Sequence, residues 1–252
     1  MGGPERAPHT PPPLSFARRG LAFETATVCA VTLLPPLLVS TLMASSPAIF
    51  RPGALMGPAG VAVGILQALL GLLLVRYILF ARGETPADIG FRPGLRPVLE
   101  SVPLVGVAYA GALVAVLALH GSVMAEAATQ RARTAFMASS APLTFVYVIV
   151  GPLFEETIVR AYLMTRLTTL GLSTPTVVLA SAVLQTAYHT YQGLAWALVY
   201  LPIFLAFAVY FAWRRNAVAP ALSHVMVDLV SWAAIYSGLT VRAALAAGRM
   251  VS

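Results

Sequence analysis

Residues 142–165 read PLTFVYVIVGPLFEETIVRAYLMT, a stretch long and apolar enough for a membrane-crossing helix that nevertheless holds Glu155, Glu156 and Arg160. A crossing helix needs about 20 mostly apolar residues, and a charge at its centre costs roughly 2.5–3.5 kcal/mol on insertion scales. Charges at that depth persist only when they are paired or hydrated in a cavity. The stretch therefore predicts a membrane fold with a polar site inside it.

The rest of the chain agrees. Its 252 residues are 59% hydrophobic and 10% charged, with mean hydropathy +0.83, which leaves too little polar surface for an ordinary soluble domain. Apolar windows of spanning length recur near 24–45, 58–80, 99–119, 142–165, 174–192, 194–213 and 217–238. The expected fold is all-α, a polytopic transmembrane helical bundle of about seven spans, with the last four as a core over 142–238. Ahead of it come a disordered, basic, Pro-rich tail over 1–20 and N-terminal spans with their connectors over 21–141; residues 239–252 form a C-terminal tail. Residues 26–43 could pass for a signal-peptide core, but the run is longer than usual and holds Pro35 and Pro36, so a retained helix is preferred.

All 16 basic residues are Arg, and most lie between apolar stretches, which points to lipid headgroups and topology rather than nucleic acid. With the N-terminus in the cytoplasm, Arg6, Arg18, Arg19, Arg76, Arg82, Arg92, Arg96, Arg166, Arg214 and Arg215 fall inside. Arg51, Arg131, Arg133, Arg242 and Arg249 then fall outside, so the positive-inside bias favours that orientation. The lone Cys29 reads as a small buried apolar residue and forms no internal disulfide. Gly60 with Gly64, and Gly106 with Ala110, are spaced for close backbone approach between helices. The segment 121–140 could form an interfacial helix with Met124, Phe136 and Met137 on one side.

Three acids and two histidines fall in the last four windows. Glu156 and Arg160 are four apart and can pair along a helix, whereas Glu155, turned by about 100° from Glu156, is free to face another neighbour. His224 and Asp228 are also four apart, so the carboxylate can accept from one ring nitrogen and fix the tautomer. His189 lies at similar depth on another segment. Each feature alone fits a structural pair or a hydrogen-bonded core histidine. Jointly they suggest a site, because a structural pair needs neither a second carboxylate nor two histidines on different helices.

The order of these motifs resembles that of the CAAX protease and bacteriocin-processing (CPBP, or Abi) intramembrane proteases. Glu155-Glu156-Thr157-Ile158-Val159-Arg160 matches EExxxR, His189 the histidine of FxxxH, and His224 with Asp228 the HxxxN/D motif, over about residues 142–235. The family's aromatic residue four before the histidine is Gln185 here, which could change the polarity of the pocket or bond His189 one turn away. The resemblance implies an intramembrane endopeptidase in which Glu155, with help from His189, activates a water. It further implies that His224 and Asp228 stabilise the oxyanion while Glu156 and Arg160 order the helix. The residues alone leave open which glutamate is the base; the resemblance selects Glu155.

On this reading no cofactor is required, although Glu155, His189 and His224 would be the candidate ligands of a zinc ion. The expected partners are a membrane-anchored peptide or protein substrate and the lipid bilayer, with no nucleic acid. A bacterial inner (cytoplasmic) membrane is expected from the Arg-only, Ala-, Gly- and Pro-rich composition. Three other readings use the same residues: a proton-coupled transporter with the acids and histidines as a relay, a b-type cytochrome ligated by His189 and His224, and a non-catalytic immunity or partner protein.

Overall fold

A computed structural model describes residues 14–45, 57–123 and 141–237, and among these every regular element is helical. The helices are α1 (Leu14–Ser45), α2 (Pro58–Ala81), α3 (Leu95–Ala118), α4 (Ala141–Thr169), α5 (Thr174–Ala187), α6 (Leu194–Arg214) and α7 (Val218–Tyr236). Within α4, an α-helical start over Ala141–Glu155 passes into a π-helical stretch over Glu156–Met164. α1, α2, α3, α4 and α6 are long and apolar enough to cross a membrane.

Each expected segment is helical, but α5 departs from the expected 174–192. It begins where Ser173 caps the Thr176 amide with Pro175 in the first turn, and it is only 14 residues long. At Tyr188 the chain leaves the α-helix for a turn and a short 3₁₀ segment, Thr190–Gln192, so His189 stands in a turn rather than mid-helix. The apolar part of α7, Val218–Ala234, is also shorter than a full crossing. At the other end of the chain, α1 begins at Leu14, so the expected tail stops short of residue 20. Residues 1–13, the segment with Met124, Phe136 and Met137, the tail over 239–252, and Arg51, Arg131, Arg133, Arg242 and Arg249 lie outside the described residues.

Packing follows the pattern of a bundle in lipid. On α2 the buried residues Val61, Ala68, Gly71, Val75 and Leu79 form one stripe, while Leu66, Leu70, Leu73, Tyr77 and Phe80 are exposed. Such an outward apolar face suits hydrocarbon, and α2 is long and apolar enough to cross a membrane. α6 packs on α3 and α5, α7 on α3 and α4, and α2 on α4. α1 meets α2 and the 3₁₀ turn beside His189.

The arginines gather at one end of the bundle. Arg82 bonds Glu24 of α1 at 3.0 Å, and Arg166 bonds Glu84 at 2.6 Å. Arg96 and Arg214 both bond Glu100, Arg18 donates to the Leu170 carbonyl, and Asn216 donates to the Arg92 carbonyl. Seven of the ten arginines assigned to the cytoplasmic side thus share one face through these contacts and through Gly90, whose neighbours include the Arg215 carbonyl.

The close helix approaches fall at other glycines than spacing suggests. A Cβ on Gly64 would stand 3.1 Å from the Tyr147 ring, as expected of an interface position, but Gly106 faces open space. The tightest contact is at Gly71, where a Cβ would come 2.3 Å from the ring of Phe154, the residue before Glu155. Gly71→Ala must therefore push that ring aside. It is expected to lower stability by about 1–3 kcal/mol, read as a reduced thermal midpoint in detergent micelles.

Candidate functional site

The site is built where α4, α5 and α7 meet, and Glu155 lies at the midpoint of α4, 14 residues from each end. Gly151 and Pro152 precede it, and Pro152 removes one backbone donor just before the hydrogen-bond register widens to the π form. Single-turn π-bulges are the common form of this register, often at functional sites; here it runs for nine residues, Glu156–Met164. Positions four apart stay near one face in this register too, and the expected pair of Glu156 and Arg160 is present, carboxylate to guanidinium at 3.5 Å.

Glu156 and Arg160 are both fully buried. Arg160 spends its stronger bonds elsewhere, donating to Ser181 Oγ at 2.8 Å and to the Phe204 carbonyl at 3.0 Å. Glu156 accepts from Gln185 Nε2 at 3.2 Å and from His224 Nδ1 at 3.0 Å. This corrects the expected pairing on α7: Asp228 stands 4.0 Å from His224 Nε2, beyond hydrogen-bond length, and Glu156 orients the imidazole instead. The reason is geometric. Glu156 reaches Nδ1 directly from the neighbouring helix, which leaves Nε2 on the side of Asp228, whose side chain is 35% exposed.

Gln185 joins the pieces. Its amide donates to Glu155 Oε2 at 3.0 Å as well as to Glu156 Oε1, so both of its N–H bonds are used, one on each carboxylate. Two acceptor oxygens on that side fix the amide with nitrogen toward them. The backbone carbonyl of the same residue accepts from His189 Nδ1 at 2.8 Å, leaving Nε2 as the acceptor of a neutral ring. The expected side-chain bond from Gln185 to His189 is thus a backbone bond. Phe204 packs against both imidazoles, with centroids 4.9 Å from His189 and 6.0 Å from His224.

Two residues missed from the sequence complete the arrangement. Tyr188 donates its hydroxyl to Glu155 Oε2 at 2.9 Å, and Ser40 of α1 donates to the Tyr188 carbonyl. Tyr188 adjoins His189 and could have been suspected, whereas nothing in the spacing links Ser40 to residues 148 positions away. The two glutamates differ in access. Glu156 is sealed on all sides, while Glu155 is partly exposed, with Oε1 carrying no hydrogen bond among the described residues.

Residues 136–230 match the family model described as type II CAAX prenyl endopeptidase, Rce1-like. Over these residues the chain is similar to that family. The match holds Glu155, Glu156, Arg160, Gln185, Tyr188, His189, His224 and Asp228, and excludes α1 with Ser40, α2 and α3. No curated protein and no solved structure matches the chain. Among the described residues no group of three His, Cys, Asp or Glu side chains, Glu155, His189 and His224 included, is close enough to hold a metal. No step below is routed through a metal.

Removing one partner of a buried ion pair strands the other charge, which typically costs about 3–5 kcal/mol. Arg160→Met is expected to lower stability by about that amount, and adding Glu156→Gln to recover part of it. Thermal unfolding of the two single variants and the double variant measures the coupling.

Proposed function

We propose that the chain is an intramembrane endopeptidase that hydrolyses a peptide bond in a membrane-anchored or membrane-embedded substrate, with Glu155 as the general base. The observation that carries this reading is the contrast between the two carboxylates. Glu156 is sealed and neutralised, whereas Glu155, at the midpoint of α4, keeps one oxygen free beside two oriented imidazoles. The Rce1-like match supplies the reaction class.

In the proposed reaction Glu155 Oε1 takes a proton from a water, and the resulting hydroxide adds to the substrate carbonyl carbon. His189 accepts a hydrogen bond from that water at Nε2, the nitrogen its bond to the Gln185 carbonyl leaves free. Negative charge builds on the carbonyl oxygen. His224, as an imidazolium, holds Glu156 with Nδ1–H and offers Nε2–H to that oxygen. Asp228 lies on the same side and keeps the second ring nitrogen protonated. When the tetrahedral intermediate collapses, the C–N bond breaks and Glu155 returns its proton to the leaving amine.

The substrate class follows from depth. A site at the midpoint of a long apolar helix is reached by chains tethered to or embedded in the bilayer. The face that gathers the arginines is proposed to lie on the cytoplasmic side, with the N-terminus there too, in a bacterial inner membrane.

Glu155→Gln is expected to fold, with an unchanged thermal midpoint, and to lose cleavage of a lipid-anchored reporter peptide in proteoliposomes by at least about 100-fold. Retained cleavage in that variant overturns the reading. Exhaustive chelation is expected to leave wild-type cleavage intact, whereas loss on chelation and recovery with zinc would replace the glutamate mechanism with a metal one.

A further inference from the structure

We infer that Tyr188 is a positioning residue, acting with Gln185 as a two-donor clamp on Glu155 Oε2 so that Oε1 alone is presented to water. The inference rests on the reading of Glu155 as the base. A carboxylate on a long side chain rotates freely about its last torsion, which is broad and roughly two-fold, so nothing intrinsic to glutamate chooses which oxygen faces a substrate. Here the choice is made by the surroundings. The Tyr188 hydroxyl at 2.9 Å and the Gln185 amide at 3.0 Å both donate to the same oxygen.

Each donor is itself held. The other amide hydrogen of Gln185 is taken by Glu156, so its side chain cannot swing away without freeing a sealed carboxylate. Tyr188 is buried, its ring lies 4.8 Å from that of His189, and its carbonyl accepts from Ser40. The clamp thus spans α1, α4 and the turn after α5. A phenylalanine at position 185 would donate nothing to either carboxylate, so the clamp belongs to this chain's own choice of Gln185.

The test uses the full-length protein in proteoliposomes and a fluorescence-quenched peptide ending in a prenylated CAAX sequence. Tyr188→Phe keeps the ring and removes only the hydroxyl. A misplaced general base lowers the chemical step, so kcat is expected to fall about 10–100-fold with KM within about 2-fold. Gln185→Met, the second variant, is expected to do the same, and serves if Tyr188→Phe fails to fold. A raised KM at unchanged kcat would make Tyr188 a substrate contact and overturn the clamp, as would unchanged kinetics in both variants.

A readout independent of turnover separates this inference from the reading on which it rests. In infrared difference spectra, Tyr188→Phe is expected to shift a carboxylate stretching band, and the shift is expected to vanish in a Glu155→Gln background. An unshifted band overturns the clamp. If the wild type leaves the peptide uncut or Glu155→Gln still cuts it, the endopeptidase reading fails, while the infrared comparison still decides whether Tyr188 holds the carboxylate.

Discussion

A carboxylate without any contact with solvent, at membrane depth, is the constraint around which the bundle is arranged. Glu156 is neutralised by Arg160 on its own helix, by His224 on α7 and by Gln185 on α5. None of these helices can shift far without stranding a charge where no water replaces the lost partner. Holding three helices to one carboxylate gives the neighbouring residue, Glu155, a fixed frame while leaving it partly open. Fixing the scaffold with one glutamate and exposing the next is an efficient use of adjacent positions.

The π-helical stretch carries this arrangement. Arg160 keeps its 3.5 Å contact with Glu156 and at the same time reaches Ser181 on α5 and the Phe204 carbonyl on α6, and so ties α4 to both. Phe204 then packs against the two histidines. One guanidinium thereby couples the helix that bears Glu155 to the wall that supports both imidazoles.

The helical bundle and the membership of the polar cluster were legible in the sequence because both rest on strong local signals: long apolar windows, and ionisable residues where such residues are costly. The partners were less legible. Helical spacing predicts neighbours on one helix, so it offered Asp228 to His224 and Arg160 to Glu156. The shorter contacts run between helices, from His224 to Glu156 and from Arg160 to Ser181. Gln185 was visible only as a departure from a family pattern, and its role as the link between both glutamates and His189 depends on three-dimensional placement. Ser40 had no signal at all, since an ordinary serine in an apolar helix carries no mark of the carbonyl it will meet. The expected span over 174–192 erred because residues 188–192, Tyr-His-Thr-Tyr-Gln, hold no Gly or Pro that would stop a helix before Gly193, yet they form the turn that places Tyr188 and His189.

On the proposed function, the belt of ion pairs at one end of the bundle has a bearing on which bond in a substrate is cut. Arg166, which anchors that belt to Glu84, and Glu155 lie on the same continuous helix, 11 residues apart. An α-helix would span roughly 16 Å over this separation; nine of its residues are in the wider, shorter-rising π register, so the distance is below that, at most about half of a hydrocarbon layer of about 30 Å. The belt and the carboxylate thus form a ruler of fixed length. On the proposed function, a substrate whose reactive bond rests among the headgroups is drawn inward by that distance, its lipid tail or apolar terminus supplying the pull.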